Sequence, residues 1–452
     1  FDEGAGFDDT DPRNAYGPYF QRQRVEIYHT YAKSLVERGL AYPCFCTEEE
    51  LDKVRAKQEE DKVLTGYYGE YATCRNLSYE EIEANIKAGK PYVLRLRSQG
   101  SPDKEITFVD AIKGEIKLPE NIHDIVLLKK DGIPTYHFAH AIDDHLMRTT
   151  TVVRGGEWLA SAPIHYELFH LLGFKMPAYA HTAHLMKFDE ETGGKRKLSK
   201  RKDPELSLDY YRKDGYHPYT MKVYLLTLLN SNFEEWHEKF PDKDINEFPF
   251  SVEKMNQSGA LFDKDKLHNI CKNELSKLSE EELYDFLYDW AKENEPENVE
   301  KWFGDREKML QILRLYMGVG AKRRRKDLMY AKQIFELISY FFDGESAEEM
   351  DEFKLDEDMV SKILKSYLAK YDHNDDNSVW FNKLKEIADE HGFASDMKAY
   401  KANPENFKGN VSDIAEAVRI AVTGRANTPD LWTIVHIMGE EQMTERIKKH
   451  IK

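Results

Sequence analysis

The spacing of apolar residues divides the chain into two parts. Up to about Lys202, helical periodicity alternates with short runs rich in β-branched and aromatic residues, and after that point the periodicity is almost wholly helical. The β-type runs predict strands at residues 92–96, 106–109 and 125–128. We therefore predict a mixed α/β part followed by an all-helical part, and this change marks the clearest domain boundary.

Helices are predicted most firmly where start and stop signals flank the apolar spacing. One helix is predicted over residues 28–36, with Gly39 as its stop, and another over residues 79–87. In the helical part, Ser279 and Glu282 have the spacing of a capping box, and apolar residues at one-face spacing follow them. These signals predict ordinary amphipathic helices.

A hairpin is predicted directly after the third β-type run. Asp131 and Gly132 form a dipeptide that favours a tight turn between strands. The turn leads into Thr-Tyr-His-Phe at residues 135–138, whose β-branched and aromatic residues favour a strand. We therefore expect residues 125–138 to form two antiparallel strands.

A second unit combines a strand, a tight turn and a helix. Residues 151–153 predict a short buried strand, which leads through Gly155 and Gly156 into a helix that stops at Gly173. This is the repeating unit of a doubly wound sheet, in which ligands bind at the carboxyl ends of the strands. Arg154 therefore lies where an anion-binding residue is expected.

The composition is that of a globular protein with several domains. Of the 452 residues, 41% are hydrophobic and 33% are charged, which favours packed cores over disorder. No apolar run approaches the roughly 18 residues of a membrane span, and the acidic start does not resemble a signal peptide. These features predict a soluble cytoplasmic protein.

The formal net charge of −17 is unusual for a protein that binds nucleic acid, because such proteins are normally basic. Basic residues are nevertheless concentrated at residues 195–202 and 322–326. An acidic protein with local basic patches can bind one shaped polyanion while its net charge disfavours indiscriminate binding. For residues 322–326, a solvated helix face explains the pattern equally well.

The basic segment at 195–202 follows two glycines, so that six cations lie within ten residues from Gly193 to Lys202. Ammonium groups on a flexible segment suit the transfer of a polyphosphate, since they can close over the leaving group as charge develops. Composition alone favours the simpler interpretation of a solvated basic loop or a localisation signal.

The sequence Lys-Leu-Ser-Lys-Arg at residues 197–201 resembles the KMSKS signature of class I aminoacyl-tRNA synthetases, in the form typical of glutamyl enzymes. Further stretches resemble the same family at residues 16–19, 131–140, 143–147, 153–158, 181–186, 207–211 and 422–425. Each stretch is short, but their combination is specific and spans essentially the whole chain. On these residues the chain is identified as a member of the bacterial-type glutamyl-tRNA synthetases.

The resemblance implies a fold of class α/β plus all-α, in which a Rossmann-type catalytic domain carries an α+β insertion and precedes a helical domain. The implied order is the end of the first Rossmann half at residues 1–29, a connective insertion that binds the tRNA acceptor end at 30–134, the second Rossmann half at 135–193, the signature loop and stem-contact region at 194–265, and a helical anticodon-binding domain at 266–452.

The resemblance also implies a two-step reaction. Glutamate and ATP, with Mg²⁺, form glutamyl-adenylate, and the glutamyl group then passes to the 3′ end of tRNA(Glu). The sequence leaves open whether tRNA(Gln) is charged as well, and which residues read the anticodon. The family further suggests a monomer.

Five residues match the family positions that handle ATP. Lys200, the second lysine of the signature, would bind the phosphates and stabilise the departing pyrophosphate. Lys197 and Ser199 would order the loop, and main-chain groups of Leu185 and Met186 would hold adenine.

Five other residues match the family's glutamate pocket. Arg154 and Tyr136 would hold the substrate, with Arg154 forming a fork on a carboxylate. Glu157 and Trp158 would belong to the same pocket and to the approach of the tRNA end. Ordinary core packing is the alternative for Tyr136 and Trp158. His140 stands where many relatives have asparagine, so substrate affinity could depend on pH near neutrality.

Three cysteines, Cys44, Cys46 and Cys74, lie in the implied insertion, where some members of the family bind structural zinc. Tetrahedral zinc requires four ligands, and in some members a tyrosine is the fourth. Tyr71 is our choice for that ligand, with Tyr68 as the alternative. Three reduced structural cysteines without metal are the simpler interpretation.

The family's HIGH signature, whose histidines contact the ATP phosphates, does not occur near residue 1, where the sequence resembles a region well past that signature. We therefore expect a longer protein that includes this segment, with a truncated product as the alternative. A tRNA-binding protein that has lost catalysis is a rival function. The short paralogue that glutamylates a modified base is disfavoured, because it lacks a helical anticodon domain.

Overall fold

A computed structural model describes residues 16–189, 191–199, 201–257, 259–342 and 350–452. The chain forms two compact units, of which the first comprises Phe1–Lys197 with Leu228–Leu261 and the second comprises Leu198–Thr227 with Phe262–Lys452. Strands occur in the first unit, whereas the described part of the second is built from helices. A mixed α/β part and a helical part are thus both present, but residues 228–261, which include a short strand, belong to the first unit and not to the helical part.

The strands form three small sheets, with the orders β1-β2-β5, β4-β3-β7-β6 and β10-β8-β9. Their bounds are β1 Ala41–Cys44, β2 Val93–Leu96, β3 Glu105–Asp110, β4 Gly114–Pro119, β5 Val126–Leu128, β6 Thr151–Gly155, β7 Ala178–Thr182, β8 Leu185–Phe188, β9 Lys195–Lys197 and β10 Ala260–Leu261. The three strands predicted from β-type runs are confirmed as β2, β3 and β5.

Helices account for most of the remaining described residues. Up to residue 239 these are α1 Val25–Glu37, α2 Glu48–Glu60, α3 Tyr79–Lys87, α4 Tyr136–Leu146, α5 Ala162–Leu172, α6 Leu208–Asp214, α7 Pro218–Leu229 and α8 Phe233–Lys239. They are followed by α9 Lys264–Leu275, α10 Glu280–Asn294, α11 Val299–Phe303, α12 Arg306–Met317, α13 Ala331–Ile338, α14 Glu357–Lys370, α15 Asn377–His391, α16 Met397–Ala402, α17 Val411–Thr423, α18 Leu431–Met438 and α19 Glu440–Lys448.

The elements predicted from start and stop signals are confirmed. Helices α1 and α3 cover the predicted segments, and Gly39 follows α1 in the left-handed conformation. Helix α10 begins with the predicted capping box, in which the Ser279 side chain accepts from the Glu282 backbone N–H and the Glu282 carboxylate accepts from the Ser279 N–H. None of the helices in the described residues is long and apolar enough to cross a membrane.

The four-stranded sheet brings three strand ends together. Strand β7 pairs in parallel with β6 on one side and with the end of β3 on the other. Arg154 on β6 lies opposite His181 on β7, and Asp110 closes β3 beside Tyr179. This register brings the side chains of Arg154, His181 and Asp110 into one cluster.

The predicted strand at residues 151–153 is confirmed as the first part of β6, but the prediction that it is buried is wrong. Its residues alternate between exposed and half-buried, and Val153 is 56% exposed. Among the described strands, β6 lies at the edge of its sheet and pairs only with β7. The chain then passes through a 3₁₀ turn, Gly156–Ser161, into α5, which ends at Gly173 as predicted.

The predicted strand at residues 135–138 is wrong, since α4 begins at Tyr136. The preceding turn is confirmed, because the Lys129 N–H donates to the Ile133 carbonyl at 2.9 Å and Gly132 has a φ of 76°. Phe138 and Ile142 are one turn apart and both are completely buried. The apolar residues continue at helical spacing beyond residue 138, and this makes the segment a helix. The longer pattern outweighed the local preference of residues 135–138 for a strand.

Each unit has its own apolar core. In the first, α1, α4 and α5 pack against β1, β2 and β5 around buried residues such as Tyr28, Phe138 and Phe169. In the second, the largest core lies among helices α9 to α19. The cluster of strand ends described above belongs to the first unit.

Candidate functional site

Arg154, at the end of β6, is held by two imidazoles. Its Nε donates to Nε2 of His181 at 3.0 Å, and its Nη1 lies 3.1 Å from Nδ1 of His165. Its Nη2 makes a long contact of 3.5 Å to the Trp158 carbonyl, and the guanidinium carbon lies 4.6 Å above the Tyr179 ring. Among the described residues, no carboxylate forms an ion pair with Arg154. Its positive charge is therefore not neutralised within the described part of the chain.

The His181 side chain links Arg154 to a buried carboxylate. Its Nδ1 lies 2.6 Å from an Asp110 oxygen, and both side chains are completely buried. Burial acts to raise the pKa of Asp110, but hydrogen bonds from His181 and from the Ile112 and Lys113 backbone outweigh it, and the pKa is lowered. Burial also lowers the pKa of His181, against the opposing effect of Asp110. The pair is thus a neutral imidazole on a carboxylate.

On the other side of Arg154, α5 and α4 provide two contacting histidines, His165 and His137. Nε2 of His165 lies 2.9 Å from Nδ1 of His137. Burial, together with the neighbouring His140 and Arg154, lowers the pKa of His165 to about 2, so this imidazole is neutral. Burial lowers the pKa of His137 as well.

The predicted pocket residues Tyr136, His140 and Trp158 lie beside this cluster. The Tyr136 ring is 4.5 Å from the Trp158 ring and stacks parallel to His140 at 5.7 Å. Tyr136 is 46% exposed, so it is not a core side chain. His140 is buried and contacts the Tyr179 hydroxyl at 2.7 Å, while its other ring nitrogen pairs with Asp144. An aromatic surface thus opens next to the Arg154 guanidinium.

The predicted nucleotide loop begins as a β-hairpin. Strand β8, which contains Leu185 and Met186, pairs with β9 so that Met186 lies opposite Lys197. Lys197 Nζ lies 3.9 Å from an oxygen of Glu157, which also contacts Nδ1 of His184 at 3.3 Å. Glu157 therefore connects the turn after β6 to β9, the strand that contains the first lysine of the signature.

The second half of the signature leaves the hairpin. The Ser199 backbone N–H donates to Asp203 at 2.8 Å, and the Asp203 side chain is buried. The loop is therefore anchored on a residue just beyond the signature. Lys200, the residue with the largest predicted role, lies outside the described residues.

The three cysteines of the insertion converge, and their sulfur atoms lie within 4.8 Å of one another. The Tyr67 hydroxyl lies 3.4 Å from the Cys44 sulfur and 3.3 Å from the Cys46 sulfur, and it accepts a hydrogen bond from the Cys74 backbone at 2.9 Å. Three sulfurs and one phenol oxygen are thus gathered at one place. All three cysteines are free thiols.

Both tyrosines that the sequence suggested as fourth ligands are engaged elsewhere. The Tyr71 hydroxyl donates to Asp61 at 2.9 Å, and the Tyr68 hydroxyl donates to the Leu64 carbonyl at 2.6 Å. The geometry favours Tyr67 for this position. Tyr67 lies in the same tyrosine-rich stretch, and only the fold distinguishes it from its neighbours.

Comparison with known proteins places these features in a family. Residues 6–269 match the family described as "tRNA synthetases class I (E and Q), catalytic domain", and residues 282–451 match an "Anticodon binding domain". The glutamate–tRNA ligase of Acetivibrio thermocellus is 53% identical over 99% of this chain and 81% of its own length. That of Clostridium perfringens strain SM101 is 46% identical over all of this chain and 82% of its own length.

The chain belongs to the glutamate–tRNA ligases. A crystal structure of a glutamate–tRNA ligase from Elizabethkingia meningosepticum in complex with its amino acid superposes with a TM-score of 0.71 and 26% identity, covering 96% of this chain and 84% of that one. The family resemblance seen in the sequence and the predicted fold class are thus confirmed. Membership in this ligase family implies the use of ATP, usually with Mg²⁺.

In this glutamate–tRNA ligase, the sequence predicted several site positions but not the residues that contact them in the structure. Asp110, His165 and Tyr179 carry no motif, and His181 appeared only as part of a family-like stretch. Asp110 is a polar residue at a strand end. This is the one local signal that could have pointed to a site residue. The contact between His165 and Arg154 has no comparable signal, because it depends on how α5 packs.

Proposed function

We propose that this chain activates glutamate with ATP and transfers it to tRNA(Glu), and that Arg154 binds a carboxylate of glutamate. The observation that supports this role is the Arg154 guanidinium, which has no carboxylate partner among the described residues and lies beside the exposed Tyr136 ring. An arginine fork matches a carboxylate in geometry and charge. Tyr136 and Trp158 form an aromatic surface next to it, against which the substrate's methylene groups can pack.

The proposed reaction proceeds in two steps. A carboxylate oxygen of glutamate attacks the α-phosphorus of ATP, the bond to the bridging oxygen breaks, and pyrophosphate leaves. The terminal ribose 2′-hydroxyl of tRNA then attacks the activated carbonyl and AMP leaves. Neither step requires a covalent enzyme nucleophile, so the contribution of the protein is positioning and charge stabilisation. Mg²⁺ on the phosphates would neutralise part of their charge.

ATP is proposed to bind along the β8–β9 hairpin. Leu185 and Met186 offer main-chain groups for adenine, and the pairing of Met186 with Lys197 brings the signature strand alongside. Lys200 is proposed to bind the phosphates and Ser199 to order the loop. The contact between Glu157 and Lys197 supports a connection between the amino-acid pocket and this hairpin.

The overall reaction is tested by glutamate-dependent ATP–pyrophosphate exchange with the full-length protein in the presence of tRNA. We expect exchange with glutamate and none with other amino acids. Robust exchange with a different amino acid would contradict the substrate. Binding of tRNA without exchange or charging would instead support the rival function, a tRNA-binding protein that has lost catalysis.

The domain roles stay proposals. We propose that the insertion at residues 30–134 binds the acceptor end and that the helical domain at 266–452 binds the anticodon, which the match at 282–451 supports. The remaining boundaries, a monomeric state and a cytoplasmic location are kept as predictions. Parallel charging of tRNA(Glu) and tRNA(Gln) by the full-length protein decides whether the second tRNA is also a substrate.

We further propose that Cys44, Cys46, Cys74 and Tyr67 hold a structural zinc ion. Three sulfurs and one phenol oxygen supply the four ligands of a tetrahedral site, and the sulfurs are already within 4.8 Å of one another. The ion would link the strand β1, which carries Cys44, to the turn before α3. Tyr67 replaces Tyr71 in this proposal because its hydroxyl contacts two of the sulfurs.

Elemental analysis should find about one zinc per chain. Cys44→Ser should lower this content and also the thermal midpoint, because the binding energy of a structural zinc contributes to folding. Cys271→Ser is the matched control, since Cys271 is equally buried but contacts Thr220 rather than other sulfurs. A metal-free preparation with reduced thiols and an unchanged thermal midpoint would contradict the site.

A further inference from the structure

The environment of Arg154 combines a half-buried cation with neutral acceptors. We propose that His165 and His181 are positioning residues, which hold the Arg154 guanidinium through neutral imidazole nitrogens and so keep its positive charge available for a glutamate carboxylate. The inference rests on the proposed role of Arg154 in binding glutamate. It adds two histidines, and the carboxylate behind one of them, to the residues on which substrate affinity depends.

The direction of each hydrogen bond follows from the chemistry of arginine, which can only donate. Nε2 of His181 must therefore accept from Arg154, which leaves the proton on Nδ1 to be donated to Asp110. Nδ1 of His165 must accept as well, so its proton is on Nε2 and is donated to His137. Both imidazoles thus have one defined neutral tautomer, and each is fixed by a partner on its far side.

The count of donors shows what remains for a ligand. A guanidinium has five N–H groups, and the two histidines and the Trp158 carbonyl take three of them. The described residues leave one N–H on Nη1 and one on Nη2, which is the number that a bidentate carboxylate requires. The anchoring contacts therefore fix the orientation of the fork without occupying it.

The neutrality of the anchors is what distinguishes this arrangement from an ordinary ion pair. A carboxylate in the place of His165 or His181 would bind Arg154 more strongly, but it would neutralise the charge and compete with the substrate. A protonated imidazole there would repel the guanidinium and could not accept from it. Both histidines are completely buried, and burial opposes their protonation.

Amide variants test the proposal because asparagine and glutamine place an oxygen acceptor near different imidazole nitrogens. Asparagine places its oxygen near the position of Nδ1, and glutamine places its oxygen near that of Nε2. Arg154 uses Nδ1 of His165 but Nε2 of His181. We therefore expect opposite preferences: His165→Asn and His181→Gln should keep the glutamate KM within about threefold of the original, whereas His165→Gln and His181→Asn should raise it by about tenfold or more.

The measurement is tRNA-dependent ATP–pyrophosphate exchange by the full-length protein, with separate KM values for glutamate and ATP. The KM for ATP should stay unchanged in all four variants. His170→Leu, at an exposed position of the same helix α5, is the control for general effects on that helix. Because the four variants are paired by size and polarity, a merely structural role would give the same ranking at both positions.

The outcomes separate this inference from the function on which it rests. The same ranking at both positions, or equal KM values for all four variants, overturns the positioning role. If Arg154→Gln raises the glutamate KM while the histidine variants leave it unchanged, the binding role of Arg154 survives and the inference fails. If Arg154→Gln itself leaves the glutamate KM unchanged, the proposed role of Arg154 fails first.

Discussion

Replacing Lys200 with alanine is expected to lower the rate of glutamate-dependent ATP–pyrophosphate exchange by about 10²-fold or more. The family pattern assigns this lysine to the phosphates, where its ammonium group would stabilise negative charge that develops on the departing pyrophosphate. An interaction that strengthens in the transition state affects the rate more than the binding of ATP. The effect should therefore appear mainly in kcat, with a smaller change in the KM for ATP.

Lys202→Ala provides the matched control for Lys200→Ala. Lys202 belongs to the same basic segment, its side chain is exposed, and its backbone N–H donates to the Ser199 carbonyl at 3.1 Å. Removing it takes away one positive charge from the segment but leaves the signature intact. An equal loss in both variants would show that the segment acts only through its overall charge. An unaffected Lys200→Ala enzyme would contradict the assignment of the loop.

Arg154→Gln is expected to reduce kcat/KM for glutamate on the order of 10²-fold, mainly through a higher KM. Truncating one partner of a buried, hydrogen-bonded charge pair typically costs roughly 2–5 kcal/mol, and every 1.4 kcal/mol or so corresponds to a factor of ten. Arg154→Lys keeps the charge but loses the planar fork, so its loss should be smaller. Steady-state exchange over a range of glutamate concentrations measures both effects.

The control for Arg154→Gln is Arg148→Gln, which removes an exposed arginine from the loop before β6. This change alters the net charge equally and should leave the glutamate KM unchanged. The ATP KM serves as a second reference, because Arg154 contacts none of the described residues assigned to ATP, which are Leu185, Met186, Lys197 and Ser199. A similar rise of both KM values in Arg154→Gln would indicate a damaged fold rather than a lost carboxylate contact.

Local sequence patterns predicted the structure correctly where both the pattern and the structure it determines span only a few residues. The capping box at Ser279 and the stop at Gly173 are decided by backbone groups within a few residues, so the sequence shows them directly. The strand predicted at residues 135–138 failed because four residues are too short a window. The buried spacing of Phe138 and Ile142 extends past it and requires a helix.

The cysteine cluster shows a different limit. The spacing of Cys44 and Cys46 predicts a cluster of metal ligands. The tyrosine-rich stretch before Cys74 suggests an oxygen ligand for the same metal. Choosing among the tyrosines required the fold, since Tyr67 turns into the interior and is 6% exposed while Tyr71 donates to Asp61. A difference of four positions along an irregular segment carries no periodic signal that sequence analysis could use.

In the proposed glutamate pocket, too, the sequence predicted one part and the tertiary structure decided the other. The sequence alone placed Arg154 at a strand end, in a family-like stretch, and so predicted that this residue binds a carboxylate. The tertiary structure alone decided what holds that residue: Asp110 and His181 are 71 positions apart, and they meet because β3 and β7 pair in parallel. Periodicity reports which face of an element is buried, whereas contacts between distant elements depend on sheet register and helix packing. The neutral histidines around Arg154 could therefore not be recognised before the fold was known.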